Sequence, residues 1–273
     1  MITADTQADF QKRIFIEKAY QERLAAIARQ IEKIIKTTRP ELLIQKLSQY
    51  SQSLFGYASN AAHTLIYNLN KQSIEQWQKQ GQKINKLLQK ELRSKRISEL
   101  MNVYVDQNIS LIRSLPLDAA KKTYKVLMEG HVSGARFESL VDKIQRIGQT
   151  TNSRATLIAR TETSKISTAL TQARSEVLGL NWYVWRTSQD VRVRDSHFGM
   201  SRVIINWKEP PAPEQLKNIK SKLGHYHAGN APNCRCYAEP LISISEDVKW
   251  PCKVHYGGKL ITMTRTQFEK IAA

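Results

Sequence analysis

The sequence predicts an α+β protein, with a long-helix N-terminal region (a bundle or an extended arm) ahead of a small mixed helix/strand C-terminal domain. Three observations lead there. Apolar residues recur at three- and four-residue spacing through the first 150 positions, with few Gly or Pro. After Gly179 the chain changes to short aromatic and β-branched runs separated by turn residues. Hydrophobic residues make up 41% of 273, ample for one or two cores and too many for a disordered chain.

The elements follow in order. Phe10, Ile14, Tyr20, Leu24, Ile27, Ile31 and Ile34 mark a first long helix. Pro40, after the Thr37-Thr38 stop, suits the start of a second. Gly56 and Ser59-Asn60 read as a break before a helix over about residues 62–97. Patterning resumes from Leu100 to Ile112, and Pro116 reads as another helix start. Gly130 and Gly134 bracket a turn, and a short helix ends at Gly148. A further helix is expected from Asn152 or Ser153 to Gly179, with Glu162 in the middle of its apolar face, where a buried carboxylate needs a cation or strong donors. Residues 182–187 and 191–194 read as strands, with Trp182 and Trp185 as core. Gly257-Gly258 between two short apolar runs is a hairpin signal.

No apolar run approaches the roughly 20 residues of a membrane-spanning helix, and the first residues lack the apolar core of a signal peptide. The three cysteines, all beyond residue 230, cannot form a fully paired disulfide framework, so a reducing compartment is expected. A membrane protein and a secreted disulfide scaffold are excluded.

The formal charge is +18, from 42 Lys+Arg and 24 Asp+Glu, and both halves of the chain share the excess. Its densest part, Lys71 to Arg96, has helical order. Lys79, Lys83, Lys86, Lys90 and Arg93 fall within an arc of roughly 80°, opposite Ile74, Trp77, Ile84, Leu88 and Leu92. Such a ladder is either a solvated stripe or a row of phosphate contacts that gains from counterion release. Lys dominates, and Arg is the usual reader of base edges, so DNA contact here would be non-specific.

Four strings carry the C-terminal half: Ala159-Arg160-Thr161-Glu162, Trp185-Arg186-Thr187, Asp190-Val191-Arg192-Val193-Arg194-Asp195-Ser196-His197 and Asn233-Cys234-Arg235-Cys236. Their order and spacing resemble the phage Mu F-like minor head protein family, the phage head morphogenesis proteins, over about residues 116–240. The chain departs from the family after His197, where it reads Phe198-Gly199-Met200-Ser201, and at Ala228-Gly229-Asn230, where Pro-Gly is usual. On this reading the domains are a helical arm over 1–115, a head morphogenesis domain over 116–240, and an extension over 241–273 with a β-hairpin. The resemblance implies a non-enzymatic minor capsid component of a tailed phage or prophage, made in the host cytoplasm and located in the virion head. It implies the portal protein, the major capsid protein and non-specific DNA as partners, and no membrane. The alternative is a metal-dependent nuclease or hydrolase acting on DNA through His197 and Asp190; a generic host DNA-binding protein is a third reading.

No cofactor is required by the sequence, but zinc is a candidate. Cys234 and Cys236 with His197 and His227 (or His225) would supply thiolates and imidazoles to a tetrahedral site. Against it stands a core in which the thiols pack and His197 bonds to Asp190 or Asp195. Asp195-Ser196-His197 is no catalytic triad, because neighbours on a strand point to opposite faces. Arg160, Glu162, Asp190, Arg192 and Arg194 are expected to form a structural ion network.

Overall fold

Long helices form where the three/four spacing runs unbroken, and the computed structural model, which describes residues 4–79, 94–133, 137–188, 192–245 and 247–272, shows five of them. These are α1 (Ala4–Thr37), α2 (Pro40–Ser53), α3 (Phe55–Lys79), α4 (Lys95–Val132) and α5 (Val141–Val177), the last preceded by a 3-10 turn over Phe137–Leu140. Pro40 stands in the first turn of α2, where its missing N–H costs nothing. The chain leaves α2 at Leu54, one residue before α3 begins, so the break precedes Gly56. After Gly179 come β1 (Trp182–Arg186), the short helix α6 (Asp195–Gly199), β2 (Ile204–Asn206), β3 (Tyr237–Pro240), β4 (Cys252–Tyr256), β5 (Lys259–Met263) and α7 (Arg265–Ala272). The protein is thus α+β, helices first. No helix among the described residues is long and apolar enough to cross a membrane.

The chain divides into two compact units. The helical unit comprises Gln11–Asn68 and Met101–Glu162; the sheet unit comprises Met1–Phe10, Leu69–Leu100 and Thr163–Ala273. The expected boundary at 115/116 therefore falls inside α4, and residues 241–273 supply β4, β5 and α7 to the sheet unit.

In the helical unit the stripe of α1 (Leu24, Ile27, Ile31, Ile35) is buried, as are Leu43 and Leu47 of α2, Ala58, Ala61 and Leu65 of α3, Ile112 and Leu115 of α4, and Ile144, Ala155 and Ile158 of α5. Packing overrides two local boundary signals here, a start and a stop. Pro116 lies inside α4 rather than at a helix start. An interior proline costs about 3 kcal/mol, but the turns around it bury Ile112, Leu115 and Ala119, and each large apolar side chain contributes about 1.5–3 kcal/mol. Gly148 does not end a helix but lies within α5, where a Cβ would meet Glu32 Cγ at 3.0 Å. It serves close approach, so α5 begins at Val141, well before Asn152. Polar groups inside this unit are matched. Tyr20 donates to Asn108 Oδ1 at 2.9 Å, and Arg160 Nε pairs with Glu17 Oε1 at 3.2 Å. Glu162 is buried as its place on the apolar face demanded; burial first, then the Glu162 charge, pushes the Tyr20 and Tyr104 hydroxyls upward in pKa.

The sheet unit holds five strands in the order β3-β1-β2-β4-β5. β1 pairs antiparallel with β2 and β3, β2 meets β4 in parallel, and β4 and β5 form the hairpin expected at Gly257-Gly258. Both turn glycines have positive φ, 57° and 73°, as a two-residue hairpin of this type requires. Alternation along β1 feeds two cores. Tyr183 and Trp185 join Ile205, Met200, Val203, Trp207, Tyr226, Cys234 and Cys236. Trp182 and Val184 join Ile204, Leu241, Val254, Met263 and Phe268. β1 is buried on both faces, which explains its nearly unbroken apolar run. The second strand expected near 191–194 is not formed: residues 192–194 make a turn, and Arg194 is the residue preceding α6.

Candidate functional site

A single turn of helix and a cysteine-bearing loop converge beside β1. α6 is only five residues long, but it turns Ser196 and His197 inward and leaves Phe198 exposed. The loop 226–236 returns to the sheet through hydrogen bonds from α5: Ser164 Oγ donates to the Cys234 carbonyl at 2.8 Å, and Thr168 Oγ1 donates to the Ala228 carbonyl at 2.6 Å. Those hydroxyls stand one helical turn apart on one face. Gly229 makes the approach possible. Its φ is +88°, and a Cβ there would lie 2.8 Å from Thr168 Oγ1 and 3.0 Å from the Cys236 carbonyl. Gly229→Ala is therefore expected to destabilise the protein by more than the roughly 1 kcal/mol of an ordinary glycine replacement at positive φ. Thermal unfolding would show it as a lowered midpoint.

His197, Cys234 and Cys236 are all buried, and their ligand atoms lie within 4.8 Å of one another. His197 Nδ1 is 3.4 Å from Cys234 Sγ and 3.5 Å from Cys236 Sγ. On the other side of the ring Nε2 is 2.8 Å from the Tyr226 hydroxyl. Tyr226 in turn donates to both oxygens of Glu214, at 2.8 and 2.7 Å, and Ser196 Oγ donates to Glu214 Oε1 at 3.0 Å. Burial pushes the Glu214 carboxyl up in pKa, but the bonds from Tyr226, its own backbone and Ser196 outweigh it and hold the group below the ordinary range. Burial and Glu214 raise the Tyr226 hydroxyl, so it stays protonated. Its proton is committed to Glu214, so its oxygen accepts from His197 Nε2–H. Nδ1 faces the two sulfurs. The hydrogen bond with Cys236 lowers the Cys234 thiol well below its usual range against the opposing effect of burial, and His197 adds to the lowering. Trp185 stacks edge-on to His197, with ring centres 5.5 Å apart, and closes the site from the sheet side.

Other candidate residues have partners of their own. His227 is buried, but Tyr183 meets its Nδ1 at 3.2 Å, and Tyr183 and Trp207 pack edge-on to its ring. His225 Nδ1 sits 3.0 Å from the Pro210 carbonyl. Arg160 pairs with Glu17 within the helical unit. Arg192 is exposed in the turn, and Arg194, also exposed, donates to the Pro232 carbonyl at 2.7 Å. Asp190 lies outside the described residues. Of the basic ladder, Lys79 pairs with Asp9 at 3.3 Å, and Lys83, Lys86, Lys90 and Arg93 lie outside the described residues. Asp195-Ser196-His197 sits on a helix, not a strand, and Ser196 is engaged with Glu214. Sequence reasoning passed over Glu214, Tyr226, Ser164 and Thr168. Only the last two left a trace, as hydroxyl residues at positions i and i+4 of one helix.

Residues 121–239 match the family model described as Phage Mu protein F like protein. An uncharacterized protein of Haemophilus influenzae is 35% identical over 155 residues, which is 57% of this chain and 32% of that protein. The match thus spans about a third of the length of the curated relative. No solved structure matches the chain. The matched segment contains α5, β1, the His197 turn and the Cys234-Arg235-Cys236 loop, so the buried site is built within it. Over residues 121–239 the chain is thus similar to the Phage Mu protein F like family, a phage head morphogenesis family.

Proposed function

We propose that this protein is a minor head protein of a tailed phage or prophage, acting in head assembly with the portal and major capsid proteins and meeting DNA without sequence preference. The observation that carries it is the Mu F-like match over 121–239. The head as location and capsid proteins as partners follow from that family's role in morphogenesis. The DNA component rests on separate ground, the +18 charge and the lysine spacing between residues 79 and 93. The family role is structural, which favours assembly over catalysis.

The test is particle association. Purified particles from a producing strain should contain the chain at a few copies, and a deletion should reduce the yield of filled heads. Complete absence from particles would overturn the proposal. For the DNA component, reversing Lys83, Lys86 and Lys90 to Glu should weaken binding to duplex DNA. It should also lower the slope of log K against log salt by about 2.7 if three phosphate contacts are lost. Unchanged binding and slope would refute that role for the ladder.

A further inference from the structure

From the convergence of His197, Cys234 and Cys236 we infer that the Mu F-like domain holds one zinc ion, bound by the two thiolates and by His197 Nδ1 and completed by a solvent ligand. Zinc prefers borderline-soft sulfur and nitrogen donors in a tetrahedron, with Zn–S near about 2.3 Å and Zn–N near about 2.05 Å. Those bond lengths at a tetrahedral angle put a sulfur and a nitrogen about 3.6 Å apart. The observed separations, 3.4 and 3.5 Å, already match.

The surroundings fit the same chemistry. A zinc-bound histidine characteristically gives its other N–H to an acceptor that fixes its tautomer and tilt. Here that acceptor is the Tyr226 oxygen, itself held by Glu214. Glu214 carries a negative charge within 3.7 Å of the ring, which increases the electron-donating power of Nδ1. Oxygen-preferring cations such as magnesium and calcium are disfavoured, since two of the three donors are sulfur. The cysteines lie two apart on a loop fixed by Ser164 and Thr168. His197 comes from α6, some 37 residues earlier. Bound zinc would tie this helical turn to the loop and to the start of β3. Among the described residues three protein donors converge, so the fourth position falls to water or another small ligand.

The full-length protein, purified under reducing conditions without chelator, should contain about one zinc per chain by elemental analysis. Cys234→Ser and Cys236→Ser should each lower that content at least tenfold. Tyr226→Phe keeps all three ligands but loses the acceptor for His197 Nε2–H; it should weaken zinc affinity by about tenfold or more in a chelator competition. Should the serine variants fail to fold, cobalt substitution of the wild-type protein gives an independent reading: thiolate-to-cobalt charge-transfer bands with tetrahedral visible bands are expected. Zinc below a tenth of an equivalent, with both thiols free or joined to each other, would overturn the inference. So would a full zinc content unaffected by either serine substitution. None of these outcomes depends on particle association.

Discussion

Trp185→Ala is expected to destabilise the sheet unit by about 3–5 kcal/mol, the cost of emptying a large aromatic site in a packed core. Trp185 heads the fully buried side chains, ranked by volume, and lies in the middle strand of the β3-β1-β2 set. Its ring touches both halves of the site, with centroids 5.5 Å from His197 and 6.3 Å from Tyr226. The cavity cannot collapse easily, because its backbone is pinned to the segment leading into β2: Trp185 N–H donates to the Val203 carbonyl, and its own carbonyl accepts from Arg202. Trp185→Phe keeps an aromatic ring against His197 and should cost markedly less. Thermal unfolding followed by near-UV circular dichroism separates the two variants. Equal midpoints for Trp185→Ala and the wild type would refute its role in the core.

That tryptophan was legible in the sequence, because β1 is buried on both faces and its apolar run is nearly continuous. The hairpin at Gly257-Gly258 was legible for a different reason: only glycine accepts two successive positive φ angles cheaply. What local reading mistook were signals whose meaning depends on distant partners. Gly148 reads as a stop unless Glu32 is known to press against it. Pro116 reads as a start unless the burial of the turns on either side is known. Val191 to Arg194 has strand composition, yet a five-residue helix must begin at Asp195 for His197 to turn inward, and the chain before it makes a turn.

The candidate site divides along the same line. His197, Cys234 and Cys236 are residue types with distinctive chemistry, so they stood out before any geometry was known. Their supporting residues did not. Glu214 follows a proline-bearing loop and Tyr226 sits between two histidines. Their partnership spans 12 residues and reaches His197 across 29. A pairing made by a folded loop has no periodicity to betray it. The histidine between that tyrosine and the cysteines, His227, shows how misleading proximity in sequence can be. It lies closer along the chain to the cysteines than His197 does, yet its partners are Tyr183 and Trp207.

His227 also gives the protein a specific acid sensitivity. Burial pushes its imidazole down to about 4, against smaller upward effects from the Trp207 backbone and Glu176. Tyr183, whose hydroxyl is itself raised by burial, keeps its proton and donates to the Nδ1 lone pair. A protonated His227 would set a second N–H against that donor. The unfolded chain titrates the same residue near about 6.5. Between these values the unfolded state binds more protons than the folded one, so stability rises with pH. The contribution is complete above about pH 6.5 and is lost as pH falls toward about 4. From pH 7.5 to 4.5 it amounts to about 2.5 kcal/mol. Carboxylates titrate over part of the same interval, so the quantity to measure is a difference between variants. His227→Gln keeps an acceptor for Tyr183 without a titrating ring. Urea unfolding at the two pH values should show the variant losing about 2.5 kcal/mol less than the wild type on acidification. Parallel losses would mean that His227 does not carry the sensitivity, whatever its burial.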